Sequence, residues 1–85
     1  MLILYMKETC PYSLVAIHKF ESLNVPVELR NVHNNRHAIE LIERGGRFQV
    51  PCLFDTDTGN VIYESEDIMD KADEYAKNRT KVSKT

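Results

Sequence analysis

The stretch Lys7-Glu8-Thr9-Cys10-Pro11-Tyr12-Ser13-Leu14 holds the residue types best suited to chemistry in this 85-residue chain. The nucleophilic form of cysteine is the thiolate, and a free thiol is mostly protonated at neutral pH. Pro11 suits the first turn of a helix, where its missing N–H would have had no partner. Cys10 therefore falls at a helix start, where unpaired N–H groups and the positive end of the dipole favour an anion. Lys7, three residues upstream, adds a positive charge. These features predict a lowered thiol pKa and a nucleophile for thiol–disulfide exchange. Ser13 lies one turn further on. Its hydroxyl can donate to a thiolate but cannot form a disulfide, so a mixed disulfide on Cys10 is left to an outside thiol or to Cys52.

Val50-Pro51 is the second informative pair. Proline restricts Val50 to an extended conformation. A cis bond would leave the Val50 backbone open to an extended, peptide-like ligand. A trans proline on an edge strand fits the same residues. Cys52 follows, its side chain pointing opposite to Leu53. It reads either as a small buried hydrophobe or as a second thiol for Cys10.

The elements that must position these residues follow from periodicity. Leu2–Met6 reads as a buried strand. Leu14, Ala16, Ile17, Phe20 and Leu23 give the next helix its apolar face, and Asn24 ends it. Val27–Val32 reads as a second strand with Val27 and Leu29 on one face. Asn34 or Asn35 caps a second helix bearing Ala38, Leu41 and Ile42, and Gly45-Gly46 stops it. Val50–Phe54 and Val61–Tyr63 form a hairpin across the turn 55–60. Ser65 is expected as the N-cap of a third helix bearing Ile68, Ala72, Tyr75 and Ala76. The fold class is α/β, in the order β-α-β-α-β-β-α. A right-handed first crossover makes strands one and two parallel within a mixed four-stranded sheet covered by three helices.

Length fits one small domain, taken as residues 1–77, with a basic, disordered tail at 78–85. Apolar residues (42%) and charged residues (28%) are those of a soluble globular chain. Net charge is −2, with +4 in residues 77–85 and −6 in residues 1–76. The body thus lacks a basic nucleic-acid footprint. No stretch reads as a signal peptide or membrane span, so a cytoplasmic monomer with two reduced thiols is expected. His33 and His37 are spaced i, i+4, but His33 falls before the helix cap, so no metal site is expected. His18, two turns from Cys10, reads as a core-edge histidine.

"CPYS" after the first strand, "GRFQVPCLF" before the hairpin and "YESEDI" opening the last helix together resemble a glutaredoxin of the thioredoxin superfamily. The likeness runs from about Leu2 to Tyr75, and the Glu64-Ser65 pair is similar to the glutathione-binding motif of glutathione-transferase N-terminal domains. The resemblance implies a thioredoxin-like fold and a set of roles. Cys10 would be the nucleophile, with Ser13 and Lys7 in the catalytic turn. Lys7 would lie near the glycine carboxylate of glutathione, and Tyr12 beside its sulfur. Val50 would pair with the cysteinyl backbone, next to Gln49 and a cis Pro51. Ser65 with Glu64 or Glu66 would hold the γ-glutamyl group, whose carboxylate suits a helix N-terminus. Two departures stand out: Ser13 replaces a second cysteine, and Gln49 stands where many members have threonine.

The implied activity is glutathione-dependent thiol–disulfide exchange by a monothiol mechanism on protein–glutathione mixed disulfides. Glutathione is the cosubstrate and glutathionylated proteins are the partners, with no nucleic acid or membrane involved. Two alternatives stay open. In the first, a dimer carries an iron–sulfur cluster on two Cys10 thiolates and two glutathiones. In the second, the chain is a transferase-like binding domain, for whose usual helical partner domain few residues follow Tyr75.

Overall fold

The computed structural model describes the backbone of residues 1–84 and the side chains of residues 1–78. The elements are β1 (Leu2–Met6), α1 (Pro11–Ser22), β2 (Glu28–Asn31), α2 (Asn35–Gly45), β3 (Cys52–Asp55), β4 (Val61–Ile62) and α3 (Ser65–Lys84). One mixed sheet runs in the order β2-β1-β3-β4. β1 and β2 are parallel, with Ile3 opposite Glu28 and Met6 opposite Asn31. β3 is antiparallel to both β1 and β4. This is the expected α/β architecture of four strands and three helices, and it is thioredoxin-like.

Alternation along β1 divides the core into two parts. Leu2, Leu4 and Met6 pack with Ala16 and Phe20 of α1, Leu53 of β3, and Ile68 and Ala72 of α3. Ile3 and Tyr5 face the other side, with Val32, Leu41 of α2 and Cys52. Because β1 is buried on both faces, it reads as an unbroken apolar run. Each large apolar side chain so buried is worth about 1.5–3 kcal/mol.

Local signals set the ends of α2. The Asn34 side chain accepts from Arg36 N–H (2.9 Å). Gly46 adopts φ 86° and donates its N–H to the Ile42 carbonyl (2.8 Å), the left-handed stop that glycine allows.

Several expectations are corrected. Ser13, not Leu14, completes the inward face of α1 with Ala16 and Phe20; Leu14 is 50% exposed. Spacing of three and four residues puts those three on one face, while Leu14 is rotated roughly 100° away. His18 is exposed rather than at the core edge. β2 is an edge strand shorter than the apolar run suggested, and Leu29 faces outward while Val27 packs on the core. Ile42 of α2 is exposed as well.

Ser65 opens α3 instead of capping it. The carbonyl that accepts from Ile68 N–H (2.9 Å) belongs to Glu64. α3 also continues to Lys84, so residues 78–84, expected as a disordered tail, extend the helix. No glycine or proline interrupts them. Residue 85 and the side chains from 79 onward lie outside the described residues.

Candidate active site

Cys10 is the N-cap residue of α1, with extended backbone (φ −95°, ψ 114°) and Pro11 directly after it. Its N–H donates to the Lys7 carbonyl (3.0 Å), and its own carbonyl accepts from Leu14 N–H (3.2 Å). These two bonds fold residues 7–14 into a turn that leads straight into the helix. The side chain is half-buried. Burial alone would push the thiol pKa up. The N–H and hydroxyl of Ser13, the N–H of Tyr12 and the charge of Lys7 outweigh burial and hold the thiol below its ordinary value.

Ser13 is completely buried. Its Oγ accepts from Lys7 N–H (3.3 Å), which fixes the oxygen under the turn. Its hydroxyl is thereby left able to donate to the Cys10 sulfur, one of the effects that hold that thiol down.

A cavity of about 590 Å³ opens on the Tyr12 side of this turn. Tyr12 from α1 forms one wall, and Gln49, Val50 and Pro51 from the segment before β3 form a second. Tyr63, Glu64, Ser65, Glu66 and Asp67, at the β4–α3 junction, form the third. The Val50–Pro51 bond is cis. Val50 lies just outside the ladder, where Tyr5 pairs with Cys52.

Of the residues named from the sequence, Tyr12, Gln49, Val50, Pro51, Glu64, Ser65 and Glu66 come together on this cavity. Cys10, Ser13 and Lys7 do not line it. Lys7 lines a separate crevice of about 290 Å³ with Glu8, Thr9, Asn31 and His33, and acts on Cys10 through its charge. Tyr63 and Asp67 were not foreseen as lining residues. The sequence marks Tyr63 only as the end of a strand and Asp67 only as part of the run that opens the last helix. Their adjacency to Glu64-Ser65 is the signal that could have found them.

Cys52 is only 1% exposed, packed with Ile3, Tyr5 and Leu41 on the α2 side of the sheet. Leu53 faces the α1–α3 side, as strand alternation requires. Burial pushes the Cys52 thiol up to about 11, against weaker opposing effects of the Tyr63 hydroxyl and Arg47. Both cysteines are free thiols. His37 Nδ1 meets the Asn31 carbonyl (3.0 Å), and His33 is exposed in the preceding loop. Among the described residues, no group of three or more His, Cys, Asp or Glu side chains could hold a metal ion.

The fold has relatives among solved structures. An epsilon-class glutathione S-transferase from the housefly, Musca domestica, is 25% identical over 91% of this chain and 36% of its own, with a TM-score of 0.72. A diazinon-metabolizing glutathione S-transferase from the silkworm, Bombyx mori, is 28% identical over 88% of this chain and 38% of its own (TM-score 0.71). A buckwheat glutaredoxin–glutathione complex is 19% identical over 86% of this chain and 68% of that one (TM-score 0.65). The chain thus spans little more than a third of the length of the transferases it matches. Among curated proteins, none matches the sequence. The sequence model of the family described as Glutaredoxin matches residues 2–59, which include Cys10–Ser13 and Gln49–Cys52 but not Glu64–Asp67. This chain belongs to the glutaredoxin family.

Proposed function

We infer that the protein is a glutathione-dependent thiol–disulfide oxidoreductase working by a monothiol mechanism. One observation carries the reading: a thiol held below its ordinary pKa stands at a helix start, two residues before Tyr12, which walls a cavity whose other two walls come from distant parts of the chain. The glutathione in the buckwheat complex supports this choice of ligand.

The Cys10 thiolate attacks the glutathionyl sulfur of a protein–glutathione mixed disulfide. A new S–S bond forms between Cys10 and glutathione, the old one breaks, and the target sulfur leaves as a thiolate that takes a proton. A second glutathione thiolate then attacks the glutathionyl sulfur on Cys10. Oxidised glutathione departs and the Cys10 thiolate is restored. The net exchange consumes the mixed disulfide and one glutathione thiol and yields the target thiol and oxidised glutathione. Tyr12 borders the sulfur, the Val50 backbone lies along the ligand's peptide groups, and Ser65 with Glu64 and Glu66 meets its γ-glutamyl end.

The test is glutathione-coupled reduction of a small glutathione mixed disulfide by wild type and by Cys52→Ser. Equal turnover in both supports the monothiol mechanism. Loss in the variant assigns Cys52 a resolving role, and no turnover in either overturns the reading.

A second reading, a glutathione-binding domain of the transferase type, is favoured by the 25–28% identity to transferases. Conjugation of glutathione to an electrophilic aryl halide, lost in the Ser65→Ala variant, would support it.

A further inference from the structure

Tyr63 does more than wall the cavity. Its hydroxyl donates to the Arg47 carbonyl (2.9 Å), and the Arg47 guanidinium lies 4.1 Å over its ring. Both contacts fall on the residue that leads into Gln49, Val50 and Pro51, the second wall. Tyr63 also packs against the buried cluster of Cys52, Ile3, Tyr5, Val32 and Leu41, so its ring covers the side of the sheet on which Cys52 lies.

Gly45 closes the arrangement from the end of α2. A Cβ at that position would sit 1.9 Å from Tyr63 Oη, inside any tolerable contact. The lack of a side chain at Gly45 is what makes room for the hydroxyl. Gly45 is not among the residues lining the cavity, so it reports on Tyr63 without touching the ligand.

We propose that Tyr63 is a positioning residue: it clamps the segment Arg47–Pro51 against β4, so setting the cavity wall, and it keeps Cys52 closed to thiol exchange. The first half rests on the reading of this cavity as the glutathione site; the second half stands without it.

The experiment compares wild type, Tyr63→Phe, Tyr63→Ala and Gly45→Ala. Two quantities are read: the KM and kcat of glutathione-coupled reduction, and the rate at which iodoacetamide alkylates Cys52, mapped by mass spectrometry without glutathione. Loss of one net hydrogen bond predicts a KM raised about three- to tenfold in Tyr63→Phe, with kcat within about twofold of wild type. Alkylation of Cys52 rises at least about fivefold in Tyr63→Ala as its cover is removed. Gly45→Ala reproduces both changes in the same direction. Unchanged KM in Tyr63→Phe, or Cys52 as slow in Tyr63→Ala and Gly45→Ala as in wild type, overturns the clamp. A kcat that falls with an unchanged KM does the same. Should wild type fail to turn over the glutathione substrate, the functional reading fails instead. The alkylation rates then decide the proposal by themselves: faster in both variants upholds it, unchanged overturns it.

Discussion

Cys10 and Cys52 are the same residue type in one small domain, and the fold gives them opposite chemistry. Cys10 is half-buried at a helix start, with Ser13, Tyr12 and Lys7 favouring its anion. Cys52 is sealed in an apolar cluster, its pKa raised to about 11. Desolvation opposes ionisation at both sites. It is outweighed only where donors and a positive charge surround the sulfur. Reactivity is thus set by what the backbone places around a thiol.

The contrast can be broken most directly at Cys10, the proposed nucleophile. Cys10→Ser should reduce glutathione-coupled turnover below detection, because no other exposed thiol exists among the described residues; appreciable residual turnover would refute the assignment. Next in size is the gap between the two thiols in the wild-type protein. At pH 7 a thiol with a pKa near 11 is about one part in ten thousand thiolate. Alkylation of Cys52 should therefore be slower than that of Cys10 by orders of magnitude and still be rising at pH 9. The Cys10 profile should level off below the range of a free thiol, since its anion is already favoured at lower pH. Mass-resolved alkylation across pH 5–10 measures both.

Ser13→Ala sharpens the comparison from one side. It removes the hydroxyl donor and leaves Lys7 N–H without its acceptor. Alkylation of Cys10 at neutral pH should slow by about three- to tenfold, and its profile should move up toward that of an ordinary thiol. An unchanged profile would return Ser13 to a purely packing role.

The smallest expected effect lies at the far end of the sheet. Asp55 is buried, and its carboxylate accepts from Tyr75 Oη–H (2.8 Å) and Asp57 N–H (2.9 Å). Burial would push this carboxyl up, but these donors, with Thr58 and the N-terminus, hold it below the usual range. A lowered folded-state pKa contributes stability above the unfolded value, near 4, and that contribution is lost as pH falls through the folded value. Tyr75→Phe should cost about 1–2 kcal/mol near pH 7 by denaturant unfolding, less below pH 3, with Cys10 alkylation unaltered. A change in Cys10 reactivity would show that the two ends are coupled.

Much of this arrangement was legible in the sequence where the cause is local. Pro11 marks the helix start and so the setting of Cys10. Asn34 and Gly46 bound α2 through bonds spanning two to four residues. The cavity was legible only through family resemblance, because Tyr12, Gln49–Pro51 and Glu64–Glu66 are far apart in the chain. Tyr63 reads from the sequence only as the end of a strand, since a tyrosine there looks alike whether it faces a core or a cavity. Leu14 and Ser13 exchanged their expected places because the contacts of α1 with α3 and the sheet, not hydrophobicity alone, choose the inward face.

The sequence by itself determined the order of the elements, the position of Cys10 at a helix start and the opposite facing of Cys52 and Leu53. Those outcomes rest on backbone preference, capping and the two-residue period of a strand, all of which act over a few positions. Only the tertiary structure decided which thiol ionises, that three distant segments enclose one cavity, and that Tyr63 packs on the cluster around Cys52 while bonding the loop before Pro51. Desolvation and the approach of remote donors fix these, and both exist only once the chain has packed.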